Sequence, residues 1–173
     1  MMATPAVSER NPYSLVQEAQ DSVPVNVNAL ARQLRLRVRS VPLAESIAGM
    51  LTREADGWTV TVNAAHAESR QRFTIAHEIG HFGLHRDRLG TGTNDSTSYV
   101  VTADAEPYND AIGPEAERDA NQFATAVLMP EARIVDVCRT FRCNDPEPVA
   151  RMFRVSPHAM RGRMAYLRER GRL

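Results

Sequence analysis

The spacing of apolar residues changes along the chain from a strand-like to a helix-like period. Between residues 36 and 62, apolar and polar positions alternate over short runs, a pattern typical of half-buried strands. The runs are Leu36–Val41, Ile47–Arg53 and Trp58–Val62. A turn-forming sequence, Ala55-Asp56-Gly57, separates the second run from the third, so we expect these two strands to form a hairpin.

Helix-like spacing, with apolar residues three and four positions apart, occurs before these strands and through most of the second half. The sequence predicts helices at Tyr13–Gln20, Val27–Leu34, Phe73–His85, Glu115–Met129, Glu131–Phe141, Val149–Phe153 and Ala159–Arg170. Residues 1–12 lack this periodicity, so we expect a flexible leader followed by a single domain over residues 13–173. The order of elements predicts an α+β fold, with a small, mostly antiparallel sheet and a helical C-terminal half.

One of these helices carries a metal-binding pattern. His77 and His81 stand four residues apart, so both imidazoles project from one face of a helix and can hold one divalent ion. Glu78 completes the HExxH sequence of zinc hydrolases, in which it would act as the general base. Apolar residues surround the three polar ones, so their burial without a metal would be costly. We therefore expect the sheet to pack beside a zincin-type HExxH helix.

A zinc ion in such a site needs a third protein ligand, and three acidic residues are candidates. We favour Glu117, because it shares one face of the next amphipathic helix with Asn121. A Glu followed four residues later by Asn is how glutamate-type HExxH enzymes supply the third ligand and a hydrogen bond to a ligand histidine. The alternatives are Asp119 and Asp87, the latter at the position of the third metzincin ligand.

Other residues near the motif are candidates for contacts with substrate or with the surroundings of the ion. His85 continues the face of the two motif histidines by one more helical turn. Residues 86–114 form a long polar stretch in which only Tyr99-Val100-Val101 resembles a strand, and loops of this length are usually functional or disordered. This strand could pair with an extended peptide, and Tyr99 or Tyr108 could stabilise an oxyanion.

These stretches together resemble the ImmA/IrrE family of metallo-endopeptidases. The resemblance rests on TVNAAHAESRQRFT at 61–74, RQRFTIAHEIGHFGLH at 70–85 and ERDANQFATAVLMP at 117–130, and it extends over residues 26–170. It implies one Zn²⁺ per chain, held by His77, His81 and Glu117, with Glu78 as the catalytic residue. It also implies a cytoplasmic protease that cleaves a DNA-binding regulator encoded nearby, often a helix-turn-helix repressor of a mobile element or a stress response.

Composition and charge leave two other function classes to consider. The sequence has neither a run of about 18 apolar residues nor a signal-peptide core, so we expect a cytoplasmic protein without a membrane segment. Net charge is zero, but residues 139–173 carry nine Arg and three acidic residues, and thus a net charge of +6. This Arg-rich segment could belong to a DNA-binding regulator, and a peptidase-like fold could serve a non-catalytic, metal-binding or antitoxin-like partner protein. We favour the enzyme, because a pure binding protein has no need of Glu78.

Overall fold

The computed structural model describes residues 12–85, 98–102 and 113–173, and for residues 98–102 it describes the backbone alone. Seven helices and four strands account for most of these residues. The helices are α1 (Pro12–Ala19), α2 (Val27–Gln33), α3 (Glu68–Leu84), α4 (Pro114–Leu128), α5 (Glu131–Phe141), α6 (Pro146–Phe153) and α7 (Pro157–Glu169). The strands are β1 (Leu36–Val41), β2 (Ile47–Glu54), β3 (Gly57–Asn63) and β4 (Ser98–Thr102). The predicted α+β class with a helical C-terminal half is confirmed. The predicted leader lies outside the described residues, apart from Pro12 at the start of α1.

The four strands form one mixed sheet in the order β1-β3-β2-β4. β2 pairs antiparallel with β3 and with β4, whereas β1 pairs parallel with β3, so the sheet is mostly antiparallel as predicted. The β2–β3 pair is the predicted hairpin, and Gly57 at its turn adopts φ +136°, a conformation that favours glycine. The strand predicted at Tyr99-Val100-Val101 is β4, at one edge of the sheet.

Helix α3 lies close against the sheet because β2 carries a glycine where the two meet. A Cβ atom at Gly49 would lie 2.5 Å from Thr74 Cγ2 of α3 and 2.6 Å from the Thr61 carbonyl oxygen of β3. Real Cβ atoms essentially never approach other atoms this closely, and both obstacles lie in packed elements. Glycine at this position therefore lets the motif helix pack directly on the strand.

A buried asparagine holds the chain as it passes from β3 toward α3. Asn63 Oδ1 accepts hydrogen bonds from the amides of Leu43 and Ala65, at 3.1 and 3.0 Å. Its Nδ2 donates to the Ile47 carbonyl oxygen at 2.9 Å, so one side chain ties the loop before β2 to the turn before α3. Because a buried amide with these partners is costly to displace, the start of α3 is held in register with the sheet.

The last two helices begin at side-chain caps. Asp145 Oδ1 accepts a backbone amide hydrogen bond at 3.1 Å, and Pro146 occupies the first helical position, so α6 begins at Pro146. The predicted start at Val149 is therefore wrong, because apolar spacing marks only the buried part of this helix. Ser156 Oγ accepts an amide hydrogen bond at 3.1 Å and caps α7. No helix in the described parts of the chain is long and apolar enough to cross a membrane.

Candidate metal centre

The two motif histidines and Glu78 lie on the buried face of α3. His77 is 2% exposed, Glu78 0% and His81 1%. The Nε2 atoms of His77 and His81 lie 2.9 Å apart, so the two rings direct the same nitrogen toward one point. This is the arrangement expected when residues four apart project from one face of a helix.

Helix α4 brings an acidic side chain to these rings. Glu117 Oε1 lies 3.2 Å from His81 Nε2, and Glu117 Oε2 lies 3.4 Å from His77 Nε2. Each of the three side chains offers one ligand atom, and these atoms lie within 4.8 Å of one another. The Glu117 side chain is 20% exposed, so part of the cluster is open to solvent. Three side chains from two helices can therefore hold a metal ion.

Two further side chains contact the outer nitrogens of the histidine rings. Asn121 Oδ1 lies 3.0 Å from His77 Nδ1, where it can accept a hydrogen bond from a protonated nitrogen. His85 Nδ1 lies 3.3 Å from His81 Nδ1, and His85 Nε2 lies 3.6 Å from Asp119 Oδ2. Each motif histidine thus has a partner at its Nδ1 atom. Its Nε2 atom remains available for the metal position that the two rings share.

Of the remaining candidate site residues, the structure describes the side chain of Asp119 alone. The carboxylate of Asp119 contacts His85 rather than the two motif histidines, and its side chain is 57% exposed. Asp87 and Tyr108 lie outside the described residues. The backbone of Tyr99 belongs to β4, and its side chain lies outside what the structure describes.

The two carboxyl groups of the site differ in their environment. Glu78 is fully buried, and neither of its oxygens has a hydrogen-bond partner among the residues that the structure describes. Burial raises the pKa of Glu78 to about 7. Burial also acts to raise the pKa of Glu117, but its contacts with His77 and His81 outweigh this effect and hold that pKa at about 2. Glu117 is therefore ionised at neutral pH, whereas Glu78 can gain or lose a proton at that pH.

A glycine on α3, which the sequence analysis did not single out, allows α4 to approach this closely. A Cβ atom at Gly80 would lie 3.1 Å from both Ala120 Cα and Phe123 Cδ1. The buried face of α4 is mostly small here, with Ala116, Ala120 and Ala124. The close contact between the helices carries Glu117 to the histidines. Glycine inside a helical pattern was the available signal, since it often marks close packing.

Replacing Gly80 with valine is expected to lower the free energy of unfolding by about 1 to 3 kcal/mol, because the added methyl groups must push α4 away. Metal affinity should fall as well, since the same movement withdraws Glu117. Chemical denaturation and metal titration measure the two effects. Gly83→Val is the matched control, because Gly83 lies on the same helix and an added Cβ there meets no atom of the described residues within 4 Å. Equal effects of the two substitutions would contradict the importance of this contact.

Comparison with known proteins places the chain in a family. A search of curated proteins found no match. The sequence model of peptidase family M78, described as the IrrE N-terminal-like domain, matches residues 31–164. The match runs from the end of α2 into α7 and includes both helices that carry the potential metal ligands. The chain therefore belongs to the IrrE N-terminal-like family of M78 peptidases, which confirms the resemblance to ImmA/IrrE proteins that its motifs indicate.

Proposed function

We propose that the chain is a zinc-dependent endopeptidase. The observation that carries this proposal is the position of Glu78, a fully buried carboxyl whose oxygens have no partner within the described residues, beside two imidazoles and a carboxylate that converge. A purely structural cluster would satisfy its buried polar groups, whereas an active site keeps one available for the reaction. Membership of a peptidase family supports the same class of reaction.

The spacing of the donor atoms is close to that of a tetrahedral zinc site and supports zinc as the metal. Two ligand atoms bound to a tetrahedral Zn²⁺ lie about 3.4 Å apart. The separations between the Nε2 atoms of His77 and His81 and the nearest Glu117 oxygens are 2.9, 3.2 and 3.4 Å. Two imidazoles and one carboxylate are also a ligand set of catalytic zinc sites, in which a fourth position stays open. We therefore propose one Zn²⁺ per chain, held by these three residues.

The hydrogen bonds around the rings favour the tautomers that such a site needs. Asn121 Oδ1 can accept a hydrogen bond from His77 Nδ1 only when that nitrogen carries the proton, which leaves the lone pair of the neutral ring on Nε2. His81 Nδ1 can likewise donate to His85 Nδ1, and His85 Nε2 can then donate toward Asp119. We propose that Asn121 and His85 are positioning residues, which hold both ligand nitrogens unprotonated.

Glu78 would carry the proton transfers of the reaction. Zinc bound at this site would lower the pKa of a water molecule to about 7 and polarise the carbonyl of the scissile peptide. The Glu78 carboxylate would take a proton from the attacking water and give it to the leaving amine nitrogen. Glu78 is fully buried and next to His77 in sequence, so its carboxyl lies at the metal-binding helix and is shielded from bulk solvent. Tyr99 and Tyr108 remain predictions for the oxyanion contact.

The proposed substrate is a DNA-binding regulator in the cytoplasm, such as a helix-turn-helix repressor of a mobile element or a stress response, encoded nearby. This part of the proposal rests on the resemblance to ImmA/IrrE proteins. The Arg-rich segment 139–173, with its net charge of +6, would attract an acidic partner surface. A protease among cytoplasmic proteins must also be selective, which favours a dedicated substrate.

Incubating the zinc-loaded protein with the regulator encoded next to its gene tests this function. We expect the regulator to be cut into two fragments, which mass spectrometry identifies. Cleavage should stop when a chelator removes the metal and resume when zinc is restored. Binding of the regulator without cleavage would indicate a non-catalytic partner protein. Tight, steeply salt-dependent binding of duplex DNA without cleavage would indicate a DNA-binding regulator.

A further inference from the structure

A groove of about 700 Å³ runs between α4 and α7. Asn121 and Ala126 line it on the α4 side, and Ala159, Gly162, Arg163 and Tyr166 line it on the α7 side. We call it the α4–α7 groove. Because the groove is about 700 Å³ in volume and extends along both helices, it can accept a segment of polypeptide rather than only single side chains.

The α4–α7 groove adjoins the candidate metal centre through Asn121. Asn121 lines the groove and also contacts His77 Nδ1 at 3.0 Å. Farther along, Ala159 is shared with a smaller cavity of about 240 Å³ that reaches Phe73. The Phe73 ring lies 6.3 Å from that of His77, so this cavity also borders the metal-binding helix. A polypeptide that lies in the groove would therefore pass beside the site of hydrolysis.

A glycine inside α7 faces the open groove. Glycine in the interior of a helix lowers stability relative to alanine, so its presence needs a reason. Close packing within the described residues gives none, because a Cβ atom at Gly162 would meet none of their atoms within 4 Å. Gly162 also lacks a positive φ. The glycine costs stability without a benefit to the described structure, which points to an occupant of the groove that needs the space.

Charge and aromatic surface define what this occupant would be. Tyr166 is 42% exposed, and its ring lies between the guanidinium groups of Arg163 and Arg170, at 5.5 and 4.7 Å from the ring centroid. Arg163 Nε donates to the Met129 carbonyl oxygen at 3.2 Å, which fixes this guanidinium at the groove wall. None of the described lining residues is acidic. A carboxylate in the groove would therefore meet positive charge without competition from the walls.

We propose that the α4–α7 groove binds an acidic segment of the protein substrate, with a carboxylate against Arg163 and small side chains over Gly162. Naming the occupant as substrate rests on the proposed peptidase function, but the binding itself requires no catalysis. A concave groove with small walls fits a peptide better than duplex DNA, which proteins usually contact with a protruding element. The groove would thus select substrates by a sequence outside the cut bond.

Nuclear magnetic resonance of the labelled full-length, zinc-loaded Glu78→Gln protein tests the proposal. The probe is a short peptide of alternating glutamate and alanine, and the control is a peptide of alternating lysine and alanine. We expect the acidic peptide to shift the amide signals of Ala126, Ala159 and Gly162, with weaker binding at high salt. Adding Gly162→Phe should fill the groove and weaken this binding about tenfold or more, and Gly162→Ala, which adds a single methyl group, should weaken it by a smaller factor.

Several outcomes would overturn the proposal. Equal shifts with the lysine peptide, shifts that avoid the groove, or no effect of Gly162→Phe would exclude an acidic peptide site. If duplex DNA displaces the peptide and shifts the same amide signals, the groove binds nucleic acid. If those signals broaden with protein concentration in the absence of peptide, the groove binds a second copy of the chain. These nuclear magnetic resonance measurements do not depend on hydrolysis. Failure of the peptidase function would instead appear as uncut regulator with a normal peptide titration.

Discussion

Replacing Glu78 with glutamine is expected to abolish peptide hydrolysis while the fold and the bound metal are retained. The amide fills the same buried space, but it cannot accept a proton from water at neutral pH. Since a general acid–base group contributes about a hundredfold to ten-thousandfold, the cleavage rate should fall by about a thousandfold or more. The rate at which intact regulator disappears, compared at equal metal content, measures this ratio.

The same substitution at an exposed site controls for effects on folding and surface charge. Glu115 lies in the exposed first turn of α4, so Glu115→Gln should cleave at the normal rate. Circular dichroism and metal analysis of the Glu78→Gln protein establish that it is folded and loaded. Undiminished cleavage by a loaded Glu78→Gln protein would mean that another group acts as the base.

Replacing Glu117 with alanine is expected to empty the metal centre. Its carboxylate oxygens lie 3.2 and 3.4 Å from the Nε2 atoms of His81 and His77, so the substitution removes one of the three converging donors. Loss of a partner outside the ligand set already lowers metal affinity about tenfold to a hundredfold. Loss of a ligand should therefore cost more, and hydrolysis should cease with it. Metal content after dialysis against a competing chelator measures the effect.

Alanine substitutions at the other two acidic candidates separate the assignments. Asp119→Ala removes a carboxylate that contacts His85, so we expect at most a modest loss of metal affinity. Asp87→Ala should leave the metal content unchanged. Zinc retained by the Glu117→Ala protein and lost from the Asp87→Ala protein would contradict the ligand set proposed here.

Local patterns made much of the candidate site predictable. The spacing of His77 and His81, and that of Glu117 and Asn121, each place two side chains on one helix face, which is a property of a single helix. The choice among the acids was harder to make from sequence. It depends on how α4 lies on α3, and that packing involves the contact of Gly80 with Ala120. Glycine within the helical pattern of α3 signals close packing but does not identify its partner.

The fold shows the same division between local and long-range information. Alternating apolar residues predicted β1, β2 and β3, and the turn before Gly57 predicted the hairpin. The parallel pairing of β1 with β3 was not predictable, because alternation gives the period of a strand and not its neighbour. The α4–α7 groove likewise depends on two helices distant in sequence, so no local pattern indicated it.

Hydrolysis of the regulator in water enriched in ¹⁸O tests the central claim most directly. If the chain uses Glu78 and a metal held by His77, His81 and Glu117 to add water to a peptide bond, one ¹⁸O atom should enter the new carboxyl terminus. Mass spectrometry should find this label in fragments made by the zinc-loaded protein, and no fragments with the Glu78→Gln protein. Intact regulator after incubation with protein that carries one zinc per chain, or labelled fragments produced equally by Glu78→Gln, would contradict the account.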